Sequence, residues 1–343
     1  MPHLRVKIKS FLKVFKLVLM GMNMSKYDVI GIGNPMVEVV VKAEDSKLAG
    51  FGMTKGGGKA VGKEEQDRML ANFENVTRTA GDSTANTLSA LSILGARVAL
   101  IGKIGDDESG VFFEKTIRNK NFVSRLVKCD KSTGRCIVIV TKDGQRSFAF
   151  NLGAASELKN EDIVKGEIEE SRIFHFTGYQ LTEPSLKKAT MYALEIAKKN
   201  NLLISFDLAD SSAVKANLKE WKPIVDKYVN VLFANEAEAE AYTGLRAEEA
   251  VKNIKENAVI CIKLGERGSI INDWGKITRV KAKKTRAVDT TGAGDAYAAG
   301  ILFGILRNMS FEKSGELASH ISSKVVEQIG ARLKEEHIRD IKF

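Results

Sequence analysis

Short, almost uninterrupted apolar runs alternate along this chain with stretches of helical periodicity. Residues 27–33 (YDVIGIG) read as a buried strand. Residues 84–95 (TANTLSALSILG) read as a helix with small residues on one face and Gly95 as its stop. A strand over 97–105 and a helix over 109–120 follow. Four further strands lie at 171–178, 202–207, 229–234 and 258–263, with helical patterns over about 185–200, 212–228 and 236–257. Strands without polar alternation are covered on both faces, and strands that alternate with helices form parallel sheets. The expected class is therefore α/β. Ligands in such sheets gather beyond the carboxyl ends of the strands.

One region departs from that rhythm. Residues 134–153 (GRCIVIVTKDGQRSFAFNLG) read as two strands around an Asp-Gly turn, a small antiparallel flap able to cover a site. Residues 55–65 (KGGGKAVGKEE) read as a mobile loop before a helix. One α/β domain over 24–343, with lid elements at about 36–60 and 121–153, accounts for the pattern better than two separate domains.

Composition narrows the picture. The chain of 343 residues is 44% hydrophobic and 28% charged, which suits a globular protein with a sizeable core. Its formal net charge is +10, and half of it lies in residues 1–23, which hold five Lys/Arg and no acid. That segment reads as an upstream start or as a basic targeting or membrane-surface segment, too short in its apolar run to span a bilayer. The rest has no basic block with interleaved aromatics, so nucleic-acid binding and stable membrane association are not expected, and an anionic small-molecule substrate is. The cysteines Cys129, Cys136 and Cys261 form no CxxC pair, which points to a cytoplasmic setting. Residues 57–63 (GGKAVGK) miss the P-loop because Glu64 stands where Ser or Thr must follow, and residues 31–36 (GIGNPM) lack the third glycine of a dinucleotide fingerprint.

Candidate chemistry concentrates in residues 289–300, DTTGAGDAYAAG. Gly292, Ala293 and Gly294 precede an apolar helix whose first turn offers free N–H groups and a positive dipole end, a cradle for a phosphoryl group. Asp295 is misplaced as a phosphate ligand but well placed as a base that takes the proton of an acceptor hydroxyl. An ordinary capped helix with an acid in its first turn explains the stretch equally well on its own.

The stretch resembles the signature of the ribokinase-like (PfkB) family of carbohydrate and nucleoside kinases. The similarity runs from about Tyr27 to about Leu333. Residues 31–39 (GIGNPMVEV), 81–87 (GDSTANT), 144–155 (GQRSFAFNLGAA), 232–240 (LFANEAEAE) and 329–332 (IGAR) resemble its adenosine kinase-like branch. The resemblance implies a three-layer αβα domain with a mostly parallel central sheet and a small β lid. It implies Asp295 as base and Gly292–Gly294 as anion hole. It places Asn235 and Glu238 around Mg²⁺ and phosphate, largely through water, and Lys263, Gly265 and Gly268 along the ATP groove. Asp289 and Thr291 match positions where many members hold a monovalent cation such as K⁺. Asn34, Glu38, Gly81, Asp82 and Asn86 match the acceptor side.

Two positions depart from the family pattern. Glu38 stands where a shorter Asp is usual. Asp82 replaces the second glycine of a hinge, so a positive φ there strains it, and its charge near a transferring phosphate slows the reaction. The expected activity is ATP-dependent phosphorylation of a primary hydroxyl, on adenosine first, then another nucleoside or a free sugar. A catalytically weak nucleotide- or sugar-binding regulatory protein is the further alternative, and the chain is expected to be a monomer or a homodimer. Phe148 and Phe150 in the flap either stack on a base or pack within their own hairpin.

Overall fold

The computed structural model describes residues 25–339 and Ile341, so the basic segment 1–23 lies outside the described residues. The strands in chain order are β1 (Tyr27–Ile32), β2 (Met36–Lys42), β3 (Gly58–Ala60), β4 (Thr77–Gly81), β5 (Val98–Gly105), β6 (Phe122–Cys129) and β7 (Thr133–Val140). They continue as β8 (Arg146–Gly153), β9 (Ser171–Thr177), β10 (Leu203–Asp207), β11 (Val231–Asn235), β12 (Val259–Lys263), β13 (Ser269–Asp273) and β14 (Lys276–Val280).

Nine strands form the larger sheet in the order β14-β13-β12-β11-β10-β9-β1-β5-β6. All its pairs from β12 to β6 are parallel, and only the β12–β13 and β13–β14 pairs at one edge are antiparallel. β1, β5, β9, β10, β11 and β12 carry Val, Ile, Leu and Phe on both faces, and helices cover both. On one face Pro184–Lys199 and Ser211–Tyr228 pack with Trp221 and Phe206 fully buried. On the other lie Ser83–Ile93, Ala293–Leu306 and Phe311–Val326. Each large side chain so buried stabilises the fold by about 1.5–3 kcal/mol. The helix expected over 236–257 is two helices, Glu236–Thr243 and Ala247–Asn253, because Gly244 takes a left-handed φ of 75° and ends the first.

The second sheet has five strands in the order β3-β8-β7-β2-β4. Its β7–β8 hairpin turns at Thr141–Gln145, and its inner face packs on the helices Asp45–Gly50 and Lys63–Leu70. Three placements differ from the sequence reading. The stretch 55–65 is not only loop: β3 pairs with β8. β4 belongs to the lid although it lies outside 36–60, and β6, inside 121–153, is the edge of the larger sheet. The half-exposed pattern of β6 is that of an edge strand, which sequence periodicity does not separate from a lid strand.

The chain leaves β1 toward β5 on one side and later fills β9 to β12 on the other, which makes the carboxyl ends of β1 and β9 the topological switch point. Thr177, Asp207, Asn235 and Lys263 all end strands on that rim.

Candidate active site

The helix Ala293–Leu306 is apolar nearly all round and buried from Ala296 to Gly304. Gly292 starts it at φ 75°, and a Cβ there would lie 2.3 Å from the Ala331 carbonyl oxygen, so only glycine fits. The first helical bond, Ala296 N–H to the Gly292 carbonyl, leaves the N–H groups of the first turn without helical acceptors. Lys263 arrives at the same turn from the end of β12. A Cβ on Gly294 would lie 3.0 Å from its Nζ, so the glycine leaves a cradle beside the ammonium. Burial alone would lower the pKa of that ammonium, but Asp207 and Glu238 outweigh it and raise it. Lys263 donates to Asp207 Oδ2 at 2.8 Å.

Asp295 sits at the mouth of this turn. Its Oδ1 accepts from Ser83 Oγ at 2.6 Å and its Oδ2 from Asn86 Nδ2 at 2.9 Å. Burial pushes the carboxyl up to about 6, the bonds from Ser83 and Asn86 pull it down, and Asp207 adds to the rise. Asn86 Oδ1 is buried without a partner among the described residues.

Glu38 comes from the lid. On β2, Val37, Val39 and Val41 enter the lid core, so Glu38 points to the opposite face, toward the cleft. Its longer side chain lies against Gly81, where a Cβ would be 2.5 Å from Glu38 Cγ; glycine at 81 makes room for the extra methylene. Burial raises its carboxyl to about 6, Arg146 opposes this, and Asp295 adds to it. The same alternation on β8 buries Ser147 and Ala149 and leaves Arg146, Phe148 and Phe150 half-buried on the cleft face. The two phenylalanines therefore do not pack within the hairpin core.

Asp82 adopts φ 125° and ψ 119°, the positive-φ conformation considered from the sequence. Its carboxylate is turned elsewhere than expected. It caps the helix Ser83–Ile93, accepting from Thr84 N at 3.3 Å and Ala85 N at 3.2 Å. A Cβ on Gly33 would lie 2.0 Å from Asp82 Oδ2, so the group is wedged against the backbone after β1 rather than aimed at a transferring phosphate. Burial pushes it up to about 7, against N–H bonds from Asn34, Ala85 and Thr84. Asn34 is likewise committed: Oδ1 accepts from Gln180 Nε2 at 3.0 Å, and Nδ2 donates to the Tyr179 carbonyl at 3.5 Å. It ties the turns after β1 and β9 together instead of presenting free groups.

Asn235 and Glu238 form a reciprocal cap. Asn235 N and Nδ2 donate to the Glu238 carboxylate at 2.7 and 2.6 Å, and Glu238 N donates to Asn235 Oδ1 at 2.8 Å. Burial raises Glu238 to about 7, Lys263 opposes this, and Asp207 adds to it. Gly265 and Gly268 take φ 60° and 92° in the turn between β12 and β13, and a Cβ on Gly268 would collide with the Val280 carbonyl oxygen at 1.9 Å. Asp289 and Thr291 lie just before the anion turn and meet Arg146 from the lid.

Sequence reasoning missed Ser83, Asp207 and Arg146. Asp207 had a legible signal, an acid closing an apolar strand at the rim where ligands gather. Arg146 had none, because nothing in a hairpin sequence says which strand face meets a loop 143 residues later.

Residues 58–338 match the model of the pfkB family carbohydrate kinases. A 5-dehydro-2-deoxygluconokinase of Listeria innocua is 28% identical over 276 residues, covering 76% of this chain and 85% of that protein. A probable fructokinase-2 of Arabidopsis thaliana is 28% identical over 265 residues, covering 72% and 78%. The crystal structure of adenosine kinase from Sinorhizobium meliloti superposes with a TM-score of 0.84 at 31% identity, covering 90% of this chain and 96% of that one. With the glycine turn, the rim of strand ends and the β lid brought together, the chain belongs to the pfkB family of carbohydrate kinases and is a sugar or nucleoside kinase of the ribokinase-like fold.

Proposed function

We propose that this kinase transfers the γ-phosphoryl group of ATP to a primary hydroxyl of a purine nucleoside, adenosine in the first place, giving AMP. The observation that carries the reading is Asp295, held by Ser83 and Asn86 at the mouth of the Gly292–Gly294 turn with Lys263 across from it. The acceptor oxygen forms a bond to phosphorus as the bond to the ADP oxygen breaks, and the hydroxyl proton goes to Asp295. The two donors keep the base oriented and ionised above about pH 6. The turn and the Lys263 ammonium face the phosphoryl oxygens, where negative charge concentrates.

Mg²⁺, when bound with ATP, supplies charge neutralisation. Among the described residues no three His, Cys, Asp or Glu side chains form a metal cage. Asn235 and Glu238 spend their direct bonds on each other, which suits a hold on the ion through water. Glu38 and Asn86 Oδ1 take acceptor hydroxyls.

The half-buried Phe148 and Phe150 on the cleft face favour a base over a bare sugar, since an aromatic platform adds stacking that a small sugar cannot use. The similarity to a solved adenosine kinase supports the same choice, whereas the curated relatives include sugar kinases. Coupled ADP release with adenosine, inosine, ribose and fructose tests it. Adenosine should give the highest kcat/KM. A tenfold preference for fructose or ribose, about 1.4 kcal/mol of transition-state binding, would assign the enzyme to free sugars instead.

A further inference from the structure

Asp289 is the residue to which the family resemblance assigns a monovalent cation. Its carboxylate does not fit one as arranged here. Oδ1 accepts from Thr291 N at 2.9 Å, and Oδ2 accepts from Gly330 N at 2.9 Å and from Arg146 Nη2. The Thr291 hydroxyl is also engaged, by Arg146 Nη1. The Asp289 and Arg146 side chains are only 4% and 18% exposed. An added ion would need the lone pairs that the guanidinium already holds, and would sit within a few ångströms of a like charge in a place with little solvent to screen it.

We infer that the guanidinium of Arg146 takes the place of the monovalent cation at Asp289. The charge is then carried by the lid. Arg146 opens β8 on the cleft face, and Asp289 lies three residues before Gly292 in a loop that Gly330 and Ala331 buttress. Swinging the lid away withdraws the guanidinium and leaves a buried carboxylate beside the anion turn with only N–H partners. Closing it restores the charge balance. The order of the Gly292–Gly294 turn is thus set by lid position and not by the salt around the protein. The planar fork of arginine reaches Asp289 and Thr291 together, which a lysine ammonium cannot reproduce.

The inference rests on the kinase reading of the cleft, so its test has one readout that needs no turnover. The full chain, R146K and R146M are compared in KCl and in choline chloride at equal ionic strength, by thermal melting and by ADP release. The wild-type protein should melt at the same temperature and turn over at the same rate in both salts. R146M should lose about tenfold or more in kcat in choline, as expected when a charge beside an anion hole is removed. KCl should then raise its melting temperature by roughly 2–4 °C, because Asp289 and Thr291 have been vacated for the ion. KCl or millimolar guanidinium should restore part of its rate. R146K should stay indifferent to potassium with a reduced kcat. Potassium that stabilises or activates the wild type overturns the inference. So does R146M at wild-type rate in choline, or R146M rescued by neither potassium nor guanidinium. If R146M does not fold, the wild-type and R146K melts still decide. A wild-type protein that releases no ADP with any acceptor refutes the kinase reading and leaves the melting comparison standing.

Discussion

The two sheets solve different problems with the same kind of residue. In the larger sheet β10 and β5 are buried at every position, with their few polar side chains, Lys103, Ser205 and Asp207, buried too. Its chemistry sits where the backbone ends: at strand termini, in the left-handed Gly292 and in the N–H groups of a buried helix. The lid has only a small core of its own, and β2 alternates between buried and half-exposed positions. Its chemistry is carried by side chains, Glu38, Arg146, Phe148 and Phe150, on the one face that it does not bury. On the proposed reading, the body would hold phosphate through its backbone and the lid would read the acceptor through its side chains.

That division is open to direct attack. The largest effect belongs to the body. Asp295→Asn keeps the shape and can still bond with Ser83 and Asn86, but it takes up no proton. kcat should fall by about 10²–10⁴ with the acceptor KM and the melting temperature nearly unchanged. Turnover close to wild type would remove Asp295 from the mechanism.

In the lid, Phe148→Ala and Phe150→Ala should act on acceptor choice. Each should weaken kcat/KM for adenosine by roughly 1–2 kcal/mol, about five- to thirtyfold, while leaving any activity on ribose almost unaltered. Equal losses on both acceptors would mean that the rings shape the lid and do not read the base.

Asp82 stands at the junction and separates conformation from capping. Asp82→Ala keeps the strained φ of 125° and loses the helix cap, so it should cost about 1–2 kcal/mol in chemical denaturation. Asp82→Gly also loses the cap but relieves the strain, and should be within about 0.5 kcal/mol of wild type or more stable. If glycine proves as costly as alanine, the carboxylate matters here through its bonds to Thr84, Ala85 and Asn34 and the backbone strain does not.

The smallest effect is a pH shift. Asp295 must be ionised to accept a proton, and burial places its carboxyl at about 6. kcat/KM should therefore rise with pH, about tenfold per unit at first, and level off above pH 6. Glu38, also near 6, is itself raised by repulsion from Asp295, and a repulsion between two carboxylates is mutual. Glu38→Gln should move the acid limb to lower pH by a few tenths of a unit. A limb that stays put or moves up would separate the two carboxylates electrically.

Much of this was legible in the chain itself. Continuous apolar strands alternating with helices required a parallel sheet covered on both sides, because such strands have no face that tolerates water. The run 289–300 required a buried helix opening on a glycine turn, since the residues after Gly294 are apolar nearly all round and glycine tolerates the sharp turn before them. Even the oddity of Asp82 was visible, as a side chain where a positive φ favours none. The tertiary structure decided where side chains point. It turned Asp82 into a cap and Asn34 into a tie between two turns, aimed Lys263 at Gly294, and put Arg146 on Asp289 across the cleft. Periodicity reports which face of an element is apolar. It cannot report which distant loop the polar face will meet, because that depends on how separately folded layers are stacked and closed on one another.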